Sequence, residues 1–213
     1  MKFCVIGLGR FGYHVATTLA DYGMEVLAID SNESIVASIR DNVTQAICMR
    51  VRDEVSLRSI GIEEMETVVV AMGDDFAASV LITALLKKRI KVGHVVARAI
   101  NDIHKEILLL TGADEVILPE QEIGVRVADN LVTPFTELIR MTKDFSISQI
   151  TPPEPFIGKR IQELDLYNAY SVHCIGVKHN DEVILVDPNL VVQKGDLLIF
   201  AGKNKDLETV AKL

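Results

Sequence analysis

Long apolar runs and paired cysteines are both lacking from this 213-residue sequence. No apolar stretch approaches the roughly 20 residues that a membrane-spanning helix requires, which predicts no direct insertion into a membrane. The run Met1–Ile6 ends at Gly7 and is too short for a signal peptide. Cys4, Cys48 and Cys174 have no paired spacing, so they indicate small core residues of a reducing compartment rather than metal ligands. These absences predict a cytoplasmic globular protein.

The chain also lacks an excess of basic residues. With 22 Lys and Arg against 30 Asp and Glu, its net charge is -8 at pH 7. A surface of this sign repels polyanions, which argues against nucleic acid or an anionic membrane as a general partner. An acidic average still permits a local anion site made of backbone amides and a few arginines. Hydrophobic residues make up 49% of the chain, enough for a packed core in one large domain or two.

The first two-thirds of the sequence alternates short apolar strands with helical patterns. Strands that are apolar throughout, such as the run from Val68 to Ala71, are typical of a sheet covered by helices on both faces. Six such strands separated by helices predict a doubly wound parallel sheet with right-handed crossovers, an α/β fold. The predicted strands are Lys2–Ile6, Glu25–Asp30, Thr44–Cys48, Thr67–Ala71, His94–Arg98 and Glu115–Leu118, and the predicted helices are 10–22, 32–40, 54–60, 74–88, 102–111 and 120–133.

The character of the sequence changes near Pro134. The stretch from Thr151 to Pro155 holds three prolines and cannot continue a regular helix or a central strand. Strands joined by short polar turns follow, which predicts a second, smaller α+β domain. We expect domains at 1–143 and 144–213, with the helix after Pro119 as the connector. The predicted elements are Val172–Lys178, a turn at Asn180 and Asp181, Glu182–Val186, Leu197–Ala201 and a final helix from about Asn204.

A glycine-rich loop, GLGRFG, joins the first predicted strand to the first helix. Gly7 permits a tight turn, Gly9 allows a pyrophosphate to approach the backbone, and Gly12 allows helix and strand to pack closely. The free amides and the positive dipole end of the helix then face the phosphates. The motif is weak alone, but its position between a strand and a helix indicates a dinucleotide-binding, or Rossmann, domain.

Asp30 ends the second strand, 18 residues after Gly12. A carboxylate at this distance accepts hydrogen bonds from the ribose hydroxyls of adenosine, and it opposes a 2′-phosphate, which disfavours NADP. The alternative is a helix N-cap shared with Ser31 and Asn32. Arg10 lies inside the loop, where a cation is disfavoured by the helix dipole, so it is better explained by a phosphate than as a solvated residue.

Catalytic motifs are lacking. The sequence has no HxxEH, CxxC or GxSxG pattern, and a second domain of roughly 70 residues is small for a substrate-binding catalytic domain. The histidines offer no arrangement for a general acid, so structural roles are favoured for all of them. Binding without turnover is therefore favoured over an NAD-dependent oxidoreductase. The histidines are His14, His94, His104, His173 and His179.

Four segments together resemble the TrkA/KtrA family of RCK (regulator of potassium conductance) proteins from bacterial potassium-uptake systems. The segments are CVIGLGRFGYHVATTLADYGMEVLAID, SIGIEEMETVVVAMGDD, ARAINDIHKEILLLTGADEVILPEQEIG and VVQKGDLLIFAGKNKDL. The resemblance implies an RCK N-terminal Rossmann domain followed by an RCK C-terminal domain. It implies a cytoplasmic gating subunit, held at the inner face of the membrane by a Trk/Ktr-type transport subunit. It further implies homodimers that assemble into a tetrameric or octameric ring and that bind ATP, ADP or NAD(H).

The resemblance also implies roles for individual residues. Arg10 and Arg98 match basic positions that reach the phosphates, in the case of Arg10 in some members across the dimer. Glu120 matches an acid that helps to bind a cation beside the nucleotide in some Ktr proteins; from its position alone it is a first-turn acid that complements a helix dipole. The full candidate cofactor site is Gly7, Gly9, Arg10, Phe11, Gly12, Asp30, Ser31, Arg50, Ala71, Gly73 and Arg98, with Glu120 as the candidate metal ligand.

The sequence departs from the family pattern at two places. After the third strand, relatives carry a small acceptor side chain where this chain has Arg50, which changes recognition of the adenine amino group; Arg50 and Arg52 either bind extra phosphate or lie in solvent. In the C-terminal domain Tyr167 replaces an arginine of the cyclic di-AMP site, which makes that ligand an unfavourable one. An NAD(H) redox sensor acting on another cation transporter is a further alternative.

Overall fold

The chain forms two compact units, Met1–Gln121 and Glu122–Leu213. A computed structural model describes residues 1–73, 75–132, 135–180 and 182–213. The predicted division at residue 143 stays a prediction. Pro134 and Asp181, the second residue of the predicted turn, lie outside the described residues. Among the described residues, no helix is long and apolar enough to cross a membrane.

The first unit is built on a six-stranded parallel sheet with strand order β3-β2-β1-β4-β5-β6. This is the order of the doubly wound dinucleotide-binding fold, so the predicted class is confirmed. The strands are β1 Lys2–Ile6, β2 Glu25–Asp30, β3 Gln45–Cys48, β4 Thr67–Val70, β5 His94–Arg98 and β6 Glu115–Ile117. The helices are α1 Arg10–Asp21, α2 Glu33–Ile39, α3 Glu54–Ser59, α4 Phe76–Ala84 and α5 Asp102–Thr111, and α6 Pro119–Val132 begins in the first unit and continues into the second.

Both faces of this sheet are buried, which explains why its strands are apolar without alternation. In β1, Cys4 and Ile6 belong to one hydrophobic cluster, whereas Val5 belongs to the cluster on the opposite face. Because successive side chains of a strand point to opposite faces, a sheet covered on both sides needs an apolar residue at every position.

The predicted helix 74–88 forms as two segments. Asp75 is the N-cap of α4, and its side chain accepts a hydrogen bond from the amide of Ala78 at 3.0 Å. Beyond Ala84 the chain continues as a π-helical segment, Leu85–Ile90, which ends at Lys91 in a left-handed conformation (φ 65°). Apolar periodicity does not distinguish these two hydrogen-bond patterns, since both bury one face of the helix.

The second unit contains an antiparallel sheet with strand order β10-β9-β11-β8-β7, the larger part of α6 and, in its described residues, two further α-helices. The predicted small α+β domain is thereby confirmed in class. The predicted hairpin forms between β9 and β10, whereas β7, β8 and α7 were not predicted. The elements are β7 Glu137–Arg140, β8 Phe145–Ile150, α7 Leu166–Tyr170, β9 Val172–His179, β10 Glu182–Leu185, β11 Leu197–Lys203 and α8 Asn204–Ala211.

Candidate functional site

The loop between β1 and α1 has the geometry of a phosphate-binding turn. Gly7 adopts φ 92°, and its amide donates to the carbonyl of Ile29 at 2.8 Å. A Cβ on Gly12 would overlap the carbonyl oxygen of Gly7, so only glycine allows the first turn of α1 to pack this closely. A Cβ on Gly9 would meet nothing within 4 Å, which leaves open space above the backbone at that point.

The N-terminus of α1 is uncapped by side chains. Its N-cap is Gly9, and the first turn carries no acidic residue. The first amides of a helix have no intrahelical partner, and the helix dipole adds positive potential there. The start of α1 therefore provides donors and a field suited to an anion, and it does so next to the open space at Gly9.

The carboxylate of Asp30 binds two backbone amides. Its Oδ2 accepts from the amide of Leu8 at 2.6 Å, and its Oδ1 accepts from the amide of Asn32 at 2.8 Å. The N-cap of α2 is Asn32, whose side chain accepts from the amide of Ser34, so Asp30 is not the capping residue that the alternative interpretation required. Each carboxylate oxygen can accept more than one hydrogen bond, which leaves capacity for hydroxyl donors.

A cleft of about 310 Å³ opens at the carboxyl ends of the strands of the first unit. In open α/β sheets this edge, at the point where the strand order reverses, is where ligands bind. Four predicted residues, Arg10, Phe11, Gly12 and Glu120, do not line the cleft. The predicted residues that do line it are Gly7, Gly9, Asp30, Ser31, Arg50, Ala71, Gly73 and Arg98.

The four predicted residues outside the lining lie at different places in the first unit. Arg10 is exposed on the first turn of α1, and Phe11 is half-buried against the core. Gly12 is buried beneath the loop. Glu120 is in the first turn of α6, with a side chain that is 69% exposed.

Sequence reasoning missed several residues of the cleft. Asn32 and Asp75 are the N-caps of α2 and α4, and Met72 lies between β4 and α4. The signal that could have found them is their place directly after a parallel strand, because all such loops meet at one edge of the sheet.

Arg98, the last residue of β5, is held firmly at this edge. Its Nη2 donates to Oε1 of Glu120 at 2.6 Å. A Cβ on Gly73 would overlap the guanidinium, so the arginine packs directly on the glycine backbone. The side chain is only 19% exposed, and its buried Nε has no hydrogen-bond partner among the described residues. A cation with a free buried donor beside the cleft is suited to bind an anion.

Glu120 is ionised throughout the neutral range. Its pKa lies below the ordinary value, first because it accepts a hydrogen bond from its own backbone amide at the helix start, and also because Arg98 donates to it. Within the described parts of the chain, no group of three or more His, Cys, Asp or Glu side chains could hold a metal ion. One carboxylate already paired with an arginine does not by itself fit a divalent cation.

The segment after β3 carries the first of the two departures from the family pattern. Val51 is buried, while Arg50 and Arg52 are exposed. Asp53 is the N-cap of α3, in a capping box with Ser56, so this acid has a structural role. A second cavity of about 340 Å³ adjoins the cleft, and both arginines line it together with Met72, Asp75 and Leu81.

His104 is fully buried between α4 and α5. Its Nε2 lies 2.8 Å from Oγ of Ser79, and its Nδ1 accepts from the amide of Ile100 at 3.4 Å. Because the hydroxyl of Ser79 donates to the carbonyl of Phe76, Nε2 of His104 carries the proton and the ring is neutral. Burial also holds the pKa of His104 below its usual value. The residue joins two helices and does not line the cleft.

In the second unit, the ring of Tyr167 stacks on His173, with centroids 4.8 Å apart and planes at 27°. Tyr167 is 61% exposed, so its outer face is open to solvent. Neither ring is a fixed, bidentate phosphate donor, in contrast to an arginine.

Comparison with known families agrees with this geometry. The TrkA-N domain profile matches residues 3–119, and the TrkA-C domain profile matches residues 146–213. The chain belongs to the TrkA/KtrA family. This family member is 31% identical to Ktr system potassium uptake protein C of Bacillus subtilis, over 99% of this chain and 96% of the relative. It is 32% identical to Ktr system potassium uptake protein A of the same organism, over 97% and 94%.

A solved structure of the GsuK RCK domain shares the fold of this TrkA/KtrA family member. The TM-score is 0.70 at 16% identity, and the match covers 100% of this chain. The chain spans about half the length of that structure, 48%.

Proposed function

We propose that this chain is the nucleotide-sensing regulatory subunit of a Ktr-type potassium-uptake system. Two relatives named as Ktr potassium uptake proteins align with it over nearly their full lengths. The observation that carries the sensing role is the cleft, in which a glycine loop, an acid and an arginine lie along one edge of a Rossmann sheet.

The ligand that the cleft fits best is an adenosine nucleotide, ATP, ADP or NAD(H). The amides at the start of α1 would bind phosphate oxygens, and Asp30 would accept hydrogen bonds from the ribose hydroxyls. Asp30 keeps acceptor capacity for them while it holds the loop through Leu8. The open space at Gly9 supports the same arrangement, because no side chain prevents a close approach to the backbone.

Arg10 and Arg98 are the residues that would distinguish one nucleotide from another. Arg98 would meet the end of the ligand that extends past the phosphate loop toward β5. Arg10 points from an exposed position on α1 and is suited to reach a phosphate of its own chain or of a second copy. A ligand shifts a protein between two shapes only by binding them unequally, and typical couplings are about 1–3 kcal/mol.

Assembly into a homodimer, and from it into a tetrameric or octameric ring, is part of the proposal. On α5, the large apolar side chains of Ile103 (70%) and Leu110 (76%) are exposed. Exposed apolar surface of this kind is typical of protein interfaces. The ring would act on a membrane potassium-transport subunit from the cytoplasmic side. That subunit would hold the ring at the inner face of the membrane.

The proposed role contains no catalytic step. Among the described residues that line the cleft there is no histidine, lysine, cysteine or tyrosine, and the carboxylates of Asp30 and Asp75 already accept backbone amides. An oxidoreductase needs a proton donor or acceptor beside the cofactor. The cleft therefore favours binding over turnover, and over the NAD-dependent oxidoreductase alternative.

Calorimetric titration of the purified chain with ATP, ADP, NADH and cyclic di-AMP tests the sensing role. We expect saturable binding of at least one adenosine nucleotide, competition among those that bind, and no heat from cyclic di-AMP. A correctly folded protein that binds none of the first three would overturn the proposal. Tight binding of cyclic di-AMP would contradict the expectation drawn from Tyr167.

A further inference from the structure

The two arginines that line the cleft differ in their surroundings. Arg98 holds the carboxylate of Glu120 at 2.6 Å, whereas Arg50 has no ion pair within the described ranges. Arg98 is also the more buried of the two, since its side chain is 19% exposed and packs on Gly73. Its charge is thus partly neutralised before any ligand arrives.

The place of this pair along the sheet defines which part of a ligand it meets. Asp30 ends β2, the glycine loop follows β1, and Arg98 ends β5, two strands beyond β1 in the order β2-β1-β4-β5. A nucleotide with its ribose at Asp30 and its phosphates at the loop extends toward Arg98 with its far end. That end is a terminal phosphate in a nucleoside triphosphate and a nicotinamide riboside in NAD.

We propose that Glu120 sets the ligand selectivity of the cleft by neutralising Arg98, so that it disfavours a terminal phosphate relative to an uncharged or cationic end group. This inference rests on the proposed nucleotide site. Glu120 is a positioning and selectivity residue in this account, since it lies outside the cleft lining and acts through the arginine.

The reason is competition for one cation. A phosphate at Arg98 would share the guanidinium with the carboxylate of Glu120, and two anions around one cation repel each other. Because the side chain of Glu120 is 69% exposed, solvent screens part of this repulsion, and the expected effect on affinity is modest. An uncharged end group avoids the repulsion, and a cationic one is attracted by the carboxylate.

This role differs from the cation-binding role that the family resemblance implies for Glu120. Arg98 already binds Oε1 of Glu120, so a divalent cation at this carboxylate would have to share it with the guanidinium. The cation-binding role predicts that Glu120→Gln weakens ATP binding only when a divalent cation is present, whereas the selectivity role predicts that it tightens ATP binding when none is present.

The test is calorimetry of the full chain with ATP and with NAD⁺ in buffer that contains EDTA, and again with excess Mg²⁺. The variant is Glu120→Gln, which keeps size and polarity and removes the charge from a side chain that is 69% exposed. The matched control is Glu122→Gln, an exposed acid on the same helix that does not line the cleft. A double variant, Arg98→Gln with Glu120→Gln, is compared with Arg98→Gln alone to show whether the effect of Glu120 on ATP binding passes through the arginine.

In EDTA we expect Glu120→Gln to bind ATP about twofold to fivefold more tightly than the unmodified chain, with NAD⁺ affinity unchanged or weaker. Glu122→Gln should match the unmodified chain, and Glu120→Gln should change ATP affinity less in the Arg98→Gln background than in the unmodified chain. Unchanged or weaker ATP binding by Glu120→Gln in EDTA would overturn the inference. Failure of the unmodified chain to bind either nucleotide would instead refute the proposed function.

Discussion

Single residues of the first unit have roles that follow from hydrogen bonds and close contacts. Asp30 is the clearest case, because one carboxylate both fixes the loop at Leu8 and presents acceptor oxygens to the cleft. Gly12 is equally constrained, since any side chain there would overlap the loop that it packs against.

Substitution of Asp30 by asparagine tests the ribose contact. Hydrogen bonds to a charged acceptor contribute about 1.5–3 kcal/mol, so Asp30→Asn should weaken ATP binding by roughly tenfold to a hundredfold. Measured with 2′-deoxy-ATP, the loss should be smaller, because a hydroxyl that Asp30 would bind is already missing. Equal losses with both nucleotides would mean that Asp30 acts only by holding the loop.

Substitution of Gly12 tests the close packing of α1. We expect Gly12→Ala to lower the free energy of unfolding by about 1–3 kcal/mol, the usual range for overpacking, as measured by urea denaturation. The matched control is Gly124→Ala in α6, where an added Cβ meets nothing within 4 Å. That change should raise stability by up to about 1 kcal/mol, because alanine favours a helix over glycine.

At the scale of elements, the sequence predicted the first unit better than the second. The bounds of β1, β2, β5 and α5 agree with the prediction, because the interior of each strand is apolar and the helix is capped at both ends. Strand β8 was missed because its pattern is inverted: Ser146 and Ser148 are buried, whereas Phe145 is 40% exposed. Apolar periodicity cannot detect a strand whose buried positions are serines.

The place of a residue relative to the strand ends decides whether the sequence alone could identify it as part of the candidate site. Gly7 follows β1 and Asp30 ends β2, so sequence spacing predicted both, whereas Arg98, which ends β5, was named from the family resemblance. Asn32 and Asp75 were missed because an N-cap residue looks the same whether or not a cleft lies beside it. The pairing of Arg98 with Glu120 joins residues 22 apart in sequence, which only the fold brings together.

The two buried serines of β8 provide a matched pair of variants. The hydroxyl of Ser146 donates to Oδ1 of Asn204 at 2.7 Å, whereas the hydroxyl of Ser148 has no partner among the described residues. We expect Ser146→Ala to cost about 1 kcal/mol of unfolding free energy, and Ser148→Ala to be neutral or stabilising. Equal destabilisation by both, in the same denaturation experiment, would contradict the assignment.

The contact between α4 and α5 should make stability depend on pH. Because burial lowers the pKa of His104, the unfolded chain binds a proton more readily than the folded one. The contribution of His104 is therefore complete above the ordinary histidine pKa of about 6.5 and is lost as the pH falls below it. Unfolding free energies measured at several pH values should fall less steeply on acidification in His104→Gln than in the unmodified chain, and equal slopes would contradict this account of His104.

At the scale of the whole molecule, the proposal requires the chain to associate with copies of itself. Leu110 lies about two helical turns after Ile103, on the same face of α5, and both side chains are exposed. Leu110→Asp should shift the chain to smaller species in light-scattering measurements, because a charge cannot be buried unpaired in an interface. Val55→Asp, at an equally exposed apolar position on α3, is the control and should leave the mass unchanged.

The central claim is that this chain converts nucleotide binding into control of potassium transport. Potassium flux into liposomes that contain a Ktr-type membrane subunit, measured with ATP and then with ADP, tests it most directly. We expect the two fluxes to differ only when the chain is present. At a nucleotide concentration that does not saturate the site, the difference should be lost when the Asp30→Asn variant is used in place of the unmodified chain. Equal flux with ATP and ADP, from a chain shown to bind both and to associate with the membrane subunit, would contradict the account.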